Sequence, residues 1–257
     1  MNRAGLKERS KASMSWARPS ILLVSLVFLL ITQTIYFIVN WDPDTWKAVA
    51  NGNFEALSVL QDSGWVSLLV LILNLLLSVI NAGYNKYCLL VSRNQHASFG
   101  TLFDCIPRAG RFIGLNLLTS IIVASPTIIA MLLVLISPFL ALLAIPAAGV
   151  AIYLSLGYSQ AVFLAVEYED MPVTKCLTES LRLMQGRRGE YFVLAISFIL
   201  WNILCMLIIP LIWVTPYIQV TYANYYNLIT GRLPQKNEPP ADEADGPGGN
   251  IDPDMWK

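Results

Sequence analysis

Charged residues are scarce in this chain: only 13% of its 257 residues are Asp, Glu, Lys or Arg. A soluble domain usually contains about 25% charged residues. Hydrophobic residues make up 56% of the chain, and the mean hydropathy is +0.57. This balance argues against an ordinary soluble domain and indicates a protein that faces lipid.

Histidine and cysteine are also scarce, which removes most catalytic and metal-binding motifs. His96 is the sole histidine, and no HExxH, GxxxxGK[ST] or GxSxG motif occurs in the sequence. No CxxC pair is formed by the four cysteines, Cys88, Cys105, Cys176 and Cys205. We therefore expect a protein that is not an enzyme and has no catalytic residue, metal site, disulfide or cofactor.

One group of carboxylates comes closest to a chemical site: Glu167, Glu169 and Asp170. A metal site or a general acid and base pair is one interpretation. Pro172 follows and is typical of a helix start, where acidic side chains are favoured in any case. We therefore interpret the three carboxylates as solvated or capping residues.

What the sequence does have is long uncharged apolar runs. A bilayer core about 30 Å thick needs roughly 20 apolar residues per helical span, and backbone groups in lipid must bond within the span. We predict an all-α integral membrane protein with six transmembrane helices, at about 20–40, 65–90, 112–136, 139–165, 190–207 and 210–230. A single kinked helix over 190–230 would give five spans. Its length of about 60 Å favours two helices joined near Ile208–Pro210.

The basic residues predict the orientation of these spans. Cytoplasmic loops carry an excess of Lys and Arg. The loop 40–64 contains Lys47 alone, whereas the other sixteen basic residues lie in the segments 1–19, 85–111, 166–190 and 231–257. We therefore predict a multi-pass protein of the cell membrane with both termini in the cytoplasm. Its parts are a basic tail over 1–19, a transmembrane domain over 20–230 and an acidic, disordered tail over 231–257.

A short pattern recurs near the cytoplasmic halves of alternate spans: Gly83-Tyr84, Gly157-Tyr158 and Pro216-Tyr217. After the first two come an amphipathic segment, a basic turn with glycine and an aromatic residue. We interpret the pattern as three hairpin repeats with short cytoplasmic interfacial helices. The segment 173–184 has a clear helical period, with Asp170 or Met171 as its cap and Gly186 as its stop. This helix could bind lipid, bind a partner or only connect two spans.

Two sets of residues are candidates for function. The basic turns would attract anionic lipid headgroups or a partner, or they would only set the topology. They contain Arg108, Arg111, Arg187 and Arg188. An intramembrane polar cluster would line a cavity, or its members would hydrogen-bond between helices. It consists of Tyr84, Tyr158, Gln160, Tyr217 and Gln219.

The chain also resembles a known family over about 158–230. The residues that carry the resemblance include Asp170-Met171-Pro172, Met184-Gln185-Gly186, Tyr191-Phe192, Pro216-Tyr217 and Tyr225-Tyr226. In order and spacing they are similar to the bacterial domain of unknown function 975 family. One departure is Ile208-Ile209-Pro210, where the family usually has a turn with glycine. The resemblance implies a multi-span bacterial membrane protein and supplies no activity.

From these observations we expect a non-enzymatic accessory or scaffold unit that acts through membrane lipids or other membrane proteins, with no nucleic-acid partner. The alternative is a small transporter or channel with a polar pathway between the repeated hairpins. No ionisable residue lies in the apolar centre of a predicted span, which argues against transport coupled to an ion.

Overall fold

The computed structural model describes residues 3–17, 20–39, 47, 51, 64–198 and 211–232. All regular structure in these ranges is helical, so the predicted all-α class is confirmed. The α-helices are α1 Arg3–Trp16, α2 Ile21–Val39, α3 Gly64–Ser92, α4 Ala109–Ile136, α5 Ala144–Tyr158, α6 Ala161–Glu167, α7 Val173–Leu183, α8 Arg188–Ile196 and α9 Leu211–Ile229. Short 3₁₀ turns occupy Phe99–Leu102, Ile106–Arg108 and Pro138–Leu143.

Two helical stretches within the described ranges are long and apolar enough to cross a membrane. They are Phe99–Ile136, with 38 residues, and Phe139–Glu167, with 29 residues. A buried core helix of a soluble protein passes the same length test, but here the most apolar windows are only 6% and 0% buried. Leu135, Ile136 and Phe139 are each at least 79% exposed. Such continuous exposed apolar surface is rare on soluble monomers.

The helix α3 is the centre of the bundle. It packs against α1, α2, α4, α6, α9 and the first 3₁₀ turn. Tyr84, Tyr87 and Cys88 of α3 are almost completely buried in the larger hydrophobic core. A smaller core joins α8 and α9 to the N-terminal helix through Leu6, Phe198 and Tyr225.

The N-terminal segment, predicted as a basic tail, instead forms the packed helix α1. It packs against α9, and its fully buried Ser10 receives hydrogen bonds from Thr221 Oγ1 at 3.1 Å and Asn224 Nδ2 at 3.0 Å. Its buried face consists of Leu6, Ser10 and Ser13, spaced four and three residues apart. An apolar-period search misses this face because two of its three members are serines.

The predicted fourth span over 139–165 is interrupted. The helix α5 ends at Tyr158, Ser159 and Gln160 form a turn, and α6 begins at Ala161. The predicted amphipathic helix over 173–184 is present as α7, and Gly186 follows it with a φ of +73°, in the region that glycine favours. Its N-cap is Pro172, without a side-chain hydrogen bond, so the proposed caps Asp170 and Met171 are wrong.

The two glycine-tyrosine pairs make equivalent contacts, which supports the first two repeats. A Cβ atom on Gly83 would overlap the carbonyl oxygen of Leu102 in the first 3₁₀ turn. A Cβ atom on Gly157 would lie 2.8 Å from Leu181 Cδ2 in α7, and Ser180 Oγ donates to the Gly157 carbonyl at 2.8 Å. In both copies the glycine is therefore the point where the following amphipathic segment meets its span. The predicted turn at Ile208–Pro210, the residues 233–257 of the tail and Cys205 lie outside the described residues.

Candidate functional site

A polar cavity of about 400 Å³ lies between the apolar helices and opens to the surface, where its lining residues Asn74, Asn81 and Asn116 are exposed. Its polar lining comes from three of the long helices and from the end of α5, and consists of Thr32, Asn74, Ser78, Asn81, Asn85, Asn116, Thr119 and Tyr158. Four of these residues, at positions 74, 78, 81 and 85, lie on one face of α3 because their spacing follows the helical period. Phe28, Phe112 and Leu115 are among the apolar lining residues.

The lining is neutral and can both donate and accept hydrogen bonds. Every residue that lines the cavity is uncharged. The hydroxyls of Ser78 and Thr119 donate to carbonyls of their own helices, at 2.6 Å and 2.7 Å. A hydroxyl that donates its proton keeps its lone pairs, so these groups can still accept from a ligand. Asn74 Nδ2 donates to the Val70 carbonyl at 2.8 Å and carries a second N–H.

A chain of amides connects the cavity to α9. Asn85 Nδ2 donates to the backbone carbonyl of Asn81 at 2.9 Å and to its Oδ1 at 3.2 Å. Gln219 Nε2 donates in turn to Asn85 Oδ1. Asn85 is 6% exposed, so this link holds α3 to α9 inside the bundle.

The predicted intramembrane polar cluster is divided between two cores. Tyr84 shares a hydrogen bond of 2.7 Å with Ser25 and stacks on Phe28, and Tyr158 lines the cavity, both at the larger core. Tyr217 instead packs edge-on against Phe198 in the smaller core, with ring centres 5.7 Å apart. Tyr217 therefore packs in a different core from Tyr84 and Tyr158.

Gln160 is fully buried at the turn between α5 and α6. Its Nε2 donates to Ser159 Oγ at 2.9 Å, and its Oε1 has no hydrogen-bond partner within the part of the chain that the structure describes. Gln219 contacts Asn85 at the cavity, as described above, so the two predicted glutamines have different surroundings.

A network of ion pairs around Glu167 closes one end of the bundle. The Glu167 side chain is only 8% exposed and lies 2.6 Å from Arg93 Nη2. Arg232 Nη1 and the Tyr226 hydroxyl both donate to this carboxylate. Arg93 Nε donates to Asn227 Oδ1 at 2.8 Å. The network therefore joins the C-terminal ends of α3, α6 and α9.

A second network surrounds Glu169, which receives a hydrogen bond from Arg108. This bond holds the pKa of the Glu169 carboxyl below its ordinary value. Arg111 donates to the backbone carbonyls of Glu169 at 2.5 Å and Tyr168 at 2.6 Å. Lys86 lies 3.0 Å from Asp104 and 3.8 Å from Glu169.

These two networks correct the interpretation of the carboxylates. Glu167 pairs with arginines of other segments and is neither solvated nor a helix cap, whereas Glu169 pairs with Arg108 and stays half exposed. Arg108 and Arg111, predicted to contact lipid or a partner, contact Glu169 and backbone carbonyls of this chain at the surface, although Arg111 Nε has no hydrogen-bond partner among the described residues.

The second basic turn differs from the first. Arg187 Nη1 donates to the Ile229 carbonyl at 3.3 Å, and the Tyr225 hydroxyl donates to the Arg187 carbonyl at 3.5 Å. The guanidinium of Arg188 lies over the ring of Tyr153, 4.0 Å from its centre. Arg188 therefore contacts an aromatic ring where Arg108 contacts a carboxylate.

Comparison with known proteins supplies the family. The model of the family described as Protein of unknown function (DUF975) matches residues 1–233. The chain belongs to this family. The match extends beyond the predicted segment 158–230 to the helices α1, α2 and α3. No curated protein and no solved structure matches the chain.

Membership of the DUF975 family does not indicate an activity. Within the described ranges, no group of three or more His, Cys, Asp or Glu side chains could hold a metal ion. Asn74, Asn81 and Asn116 are not among the predicted site residues, although they line the cavity. Their helical spacing with Ser78, Asn85 and Thr119 was the available signal for a shared cavity.

Proposed function

We propose that this chain is a polytopic protein of the cell membrane with six spans and both termini in the cytoplasm. The exposed apolar surfaces of Phe99–Ile136 and Phe139–Glu167 support this placement, because lipid would cover them. The distribution of sixteen basic residues against Lys47 supports the orientation. The ion-pair networks around Glu167 and Glu169 would then lie at the cytoplasmic surface.

Within this placement, we propose a small transporter or channel for uncharged polar solutes. The cavity lined by Asn, Ser and Thr carries the proposal, because it offers a solute hydrogen bonds in place of those it makes to water. A volume of about 400 Å³ can hold a small metabolite.

The neutrality of the lining argues for an uncharged solute. An ion at this depth would need a compensating charge or a ring of strong dipoles. The charged side chains described above lie at the bundle end, in pairs that largely satisfy one another. Polyols and amides are therefore better candidates than inorganic ions.

Solute entry into proteoliposomes tests this proposal. We expect glycerol or urea to enter vesicles containing the protein faster than protein-free vesicles, as measured by stopped-flow light scattering. Asn116→Leu places an apolar group in the cavity and should reduce the rate at least tenfold, since it removes a donor and an acceptor of about 1 kcal/mol each and narrows the passage. Ser120→Leu, an exposed position on the same helix, is the matched control and should leave the rate unchanged.

Failure in this assay has a clear meaning. Equal entry rates with and without protein, for several polar solutes, would reject the transporter proposal. Equal loss in both variants would point to a general effect on the helix α4.

The second candidate is the non-enzymatic accessory or scaffold unit acting through lipids or partner proteins. The specific observation in its favour is the exposed basic and apolar surface around Arg188, which contrasts with the internally paired Arg108. It predicts that lipids or membrane proteins co-purify in mild detergent and are identified by mass spectrometry. A preparation free of both would reject it.

A further inference from the structure

A second cleft, of about 220 Å³, lies on the outside of the bundle where α5, α7 and the turn before α8 meet. It is lined by Tyr153, Leu181, Arg182, Gln185, Gly186 and Arg188. Two cations, an amide and an aromatic ring therefore converge on a space large enough for a phosphate headgroup.

Arg188 is fixed in this cleft with donor capacity to spare. Its guanidinium stacks over Tyr153, and its Nε is buried without a hydrogen-bond partner within the described part of the chain. A Cβ atom on Gly157 would lie 3.0 Å from Arg188 Nη2, so the glycine permits the arginine to approach α5 closely. A planar guanidinium held in this way suits the oxygens of a phosphate.

Arg182 adds a second positive charge to the cleft. Its side chain is 78% exposed and lies 3.7 Å from Glu179, one turn earlier on α7. An exposed pair at this spacing contributes little free energy. Arg182 can therefore turn toward an anion in the cleft at small cost.

The surface below the cleft is apolar. On α8, Phe192 and Ile196 follow Arg188 at intervals of four residues and are 40% and 44% exposed. On the adjoining helix α5, Val150 precedes Tyr153 by three residues and is 48% exposed. The cationic cleft is complementary to a phosphate headgroup, and the apolar face beside it is complementary to acyl chains. The two surfaces adjoin, as the two parts of a phospholipid do.

We propose that this cleft binds an anionic phospholipid. Its phosphate would lie between Arg182 and Arg188, and its acyl chains would cover Phe192, Ile196 and Val150. The proposal rests on the membrane placement put forward above and is independent of solute passage through the cavity. It also selects among the predicted basic residues, because Arg108 and Arg111 are engaged by Glu169 and backbone carbonyls.

Lipid binding to the full-length protein in mild detergent tests the proposal. The probes are short-chain phosphatidylglycerol, phosphatidylcholine with the same acyl chains, and sodium phosphate, with binding followed by native mass spectrometry. Each positive charge adds roughly fivefold to the affinity for an anionic lipid, so phosphatidylglycerol should bind about 25-fold tighter than phosphatidylcholine at low salt.

Three variants locate the effect. Arg188→Gln and Arg182→Gln should each weaken phosphatidylglycerol binding about fivefold, and should weaken phosphatidylcholine binding less, because the choline cation offsets the charge of its phosphate. Lys175→Gln removes one exposed positive charge from the same helix outside the cleft and should change neither. If Arg188→Gln fails to fold, Arg182→Gln decides, because that side chain is largely exposed.

The outcomes separate the lipid from other sources of phosphate. Equal binding of the two lipids would overturn the proposal, and so would a preference that survives both arginine variants. Displacement of phosphatidylglycerol by an equal concentration of sodium phosphate would mean that the acyl chains contribute nothing, which overturns the assignment to lipid. Normal solute entry without lipid preference would reject this inference alone, whereas lipid preference without solute entry would reject only the transporter proposal.

Discussion

At the scale of single residues, the distinction that matters is between charges that are satisfied inside the protein and charges that are not. Glu167 is almost enclosed and faces Arg93, Arg232 and the Tyr226 hydroxyl. The Arg188 guanidinium lies over the Tyr153 ring, and its Nε has no hydrogen-bond partner among the described residues. The first arrangement stabilises the bundle, and the second is open to a ligand.

Glu167 should therefore be a stability residue. Glu167→Gln leaves Arg93 and Arg232 without a counter-charge, and breaking an ion pair that is largely buried costs about 3 kcal/mol. We expect a lower unfolding midpoint in detergent, measured by intrinsic fluorescence. Glu179→Gln is the matched control, because its exposed pair with Arg182 should contribute less than about 0.5 kcal/mol. Equal shifts in the two variants would contradict the central role of Glu167.

Glu169 predicts a pH dependence of stability. Its folded pKa is lowered, chiefly by the hydrogen bond from Arg108, so the unfolded chain binds the proton more readily. The contribution is therefore fully present above the ordinary glutamate pKa of about 4.3 and is lost as the pH falls through the lowered folded value. The stability difference between the wild type and Glu169→Gln should begin to fall as the pH drops below about 4.3 and should disappear once the pH is below the lowered folded pKa. A difference that persists unchanged to pH 2 would contradict the pairing.

At the scale of elements, apolar length predicted the helices α2, α3, α4 and α9 to within a few residues, because a long uncharged run favours a helix that bonds its own backbone, but it missed the turn at Ser159 and Gln160. The helix α7 was predictable from its period and from Gly186. The helix α1 was not, because Ser10 and Ser13 form its buried face and do not register as apolar. The pairing of Glu167 with Arg232, 65 residues away in the chain, depends on tertiary structure that no local pattern contains.

The contact of Gly83 with the first 3₁₀ turn gives an element-scale prediction. Gly83→Ala places a Cβ atom on the Leu102 carbonyl and should push that turn away, at a cost of about 2 kcal/mol. Gly149→Ala on α5 meets open space and should be neutral or slightly stabilising, because alanine favours a helix. Unfolding midpoints in detergent check both. A neutral Gly83→Ala would remove the structural support for the first repeat.

At the scale of the whole molecule, the proposals share one orientation in the membrane. The bundle end that carries the ion-pair networks of Glu167 and Glu169, together with the lipid cleft, must face the cytoplasm. The polar ends of α3, α6 and α9 lie there, and the second basic turn reaches the end of α9 through the hydrogen bond from Arg187 to the Ile229 carbonyl. Cytoplasmic leaflets are rich in anionic lipid, so the lipid cleft and the excess of basic residues require the same orientation. This orientation is a prediction from charge alone, and it can be tested without any ligand.

Cysteine labelling in intact cells tests the orientation. Lys11 and Lys47 are both exposed, and the six-span arrangement puts them on opposite sides of the membrane. A membrane-impermeant maleimide should label Lys47→Cys in intact cells, and should label Lys11→Cys only after permeabilisation. The native residues Cys88, Cys105 and Cys176 are buried, and the unmodified protein measures their background together with that of Cys205. Labelling of Lys11→Cys from outside would reverse the orientation and would move the Arg188 cleft to the outer leaflet, where the lipid proposal loses its electrostatic basis.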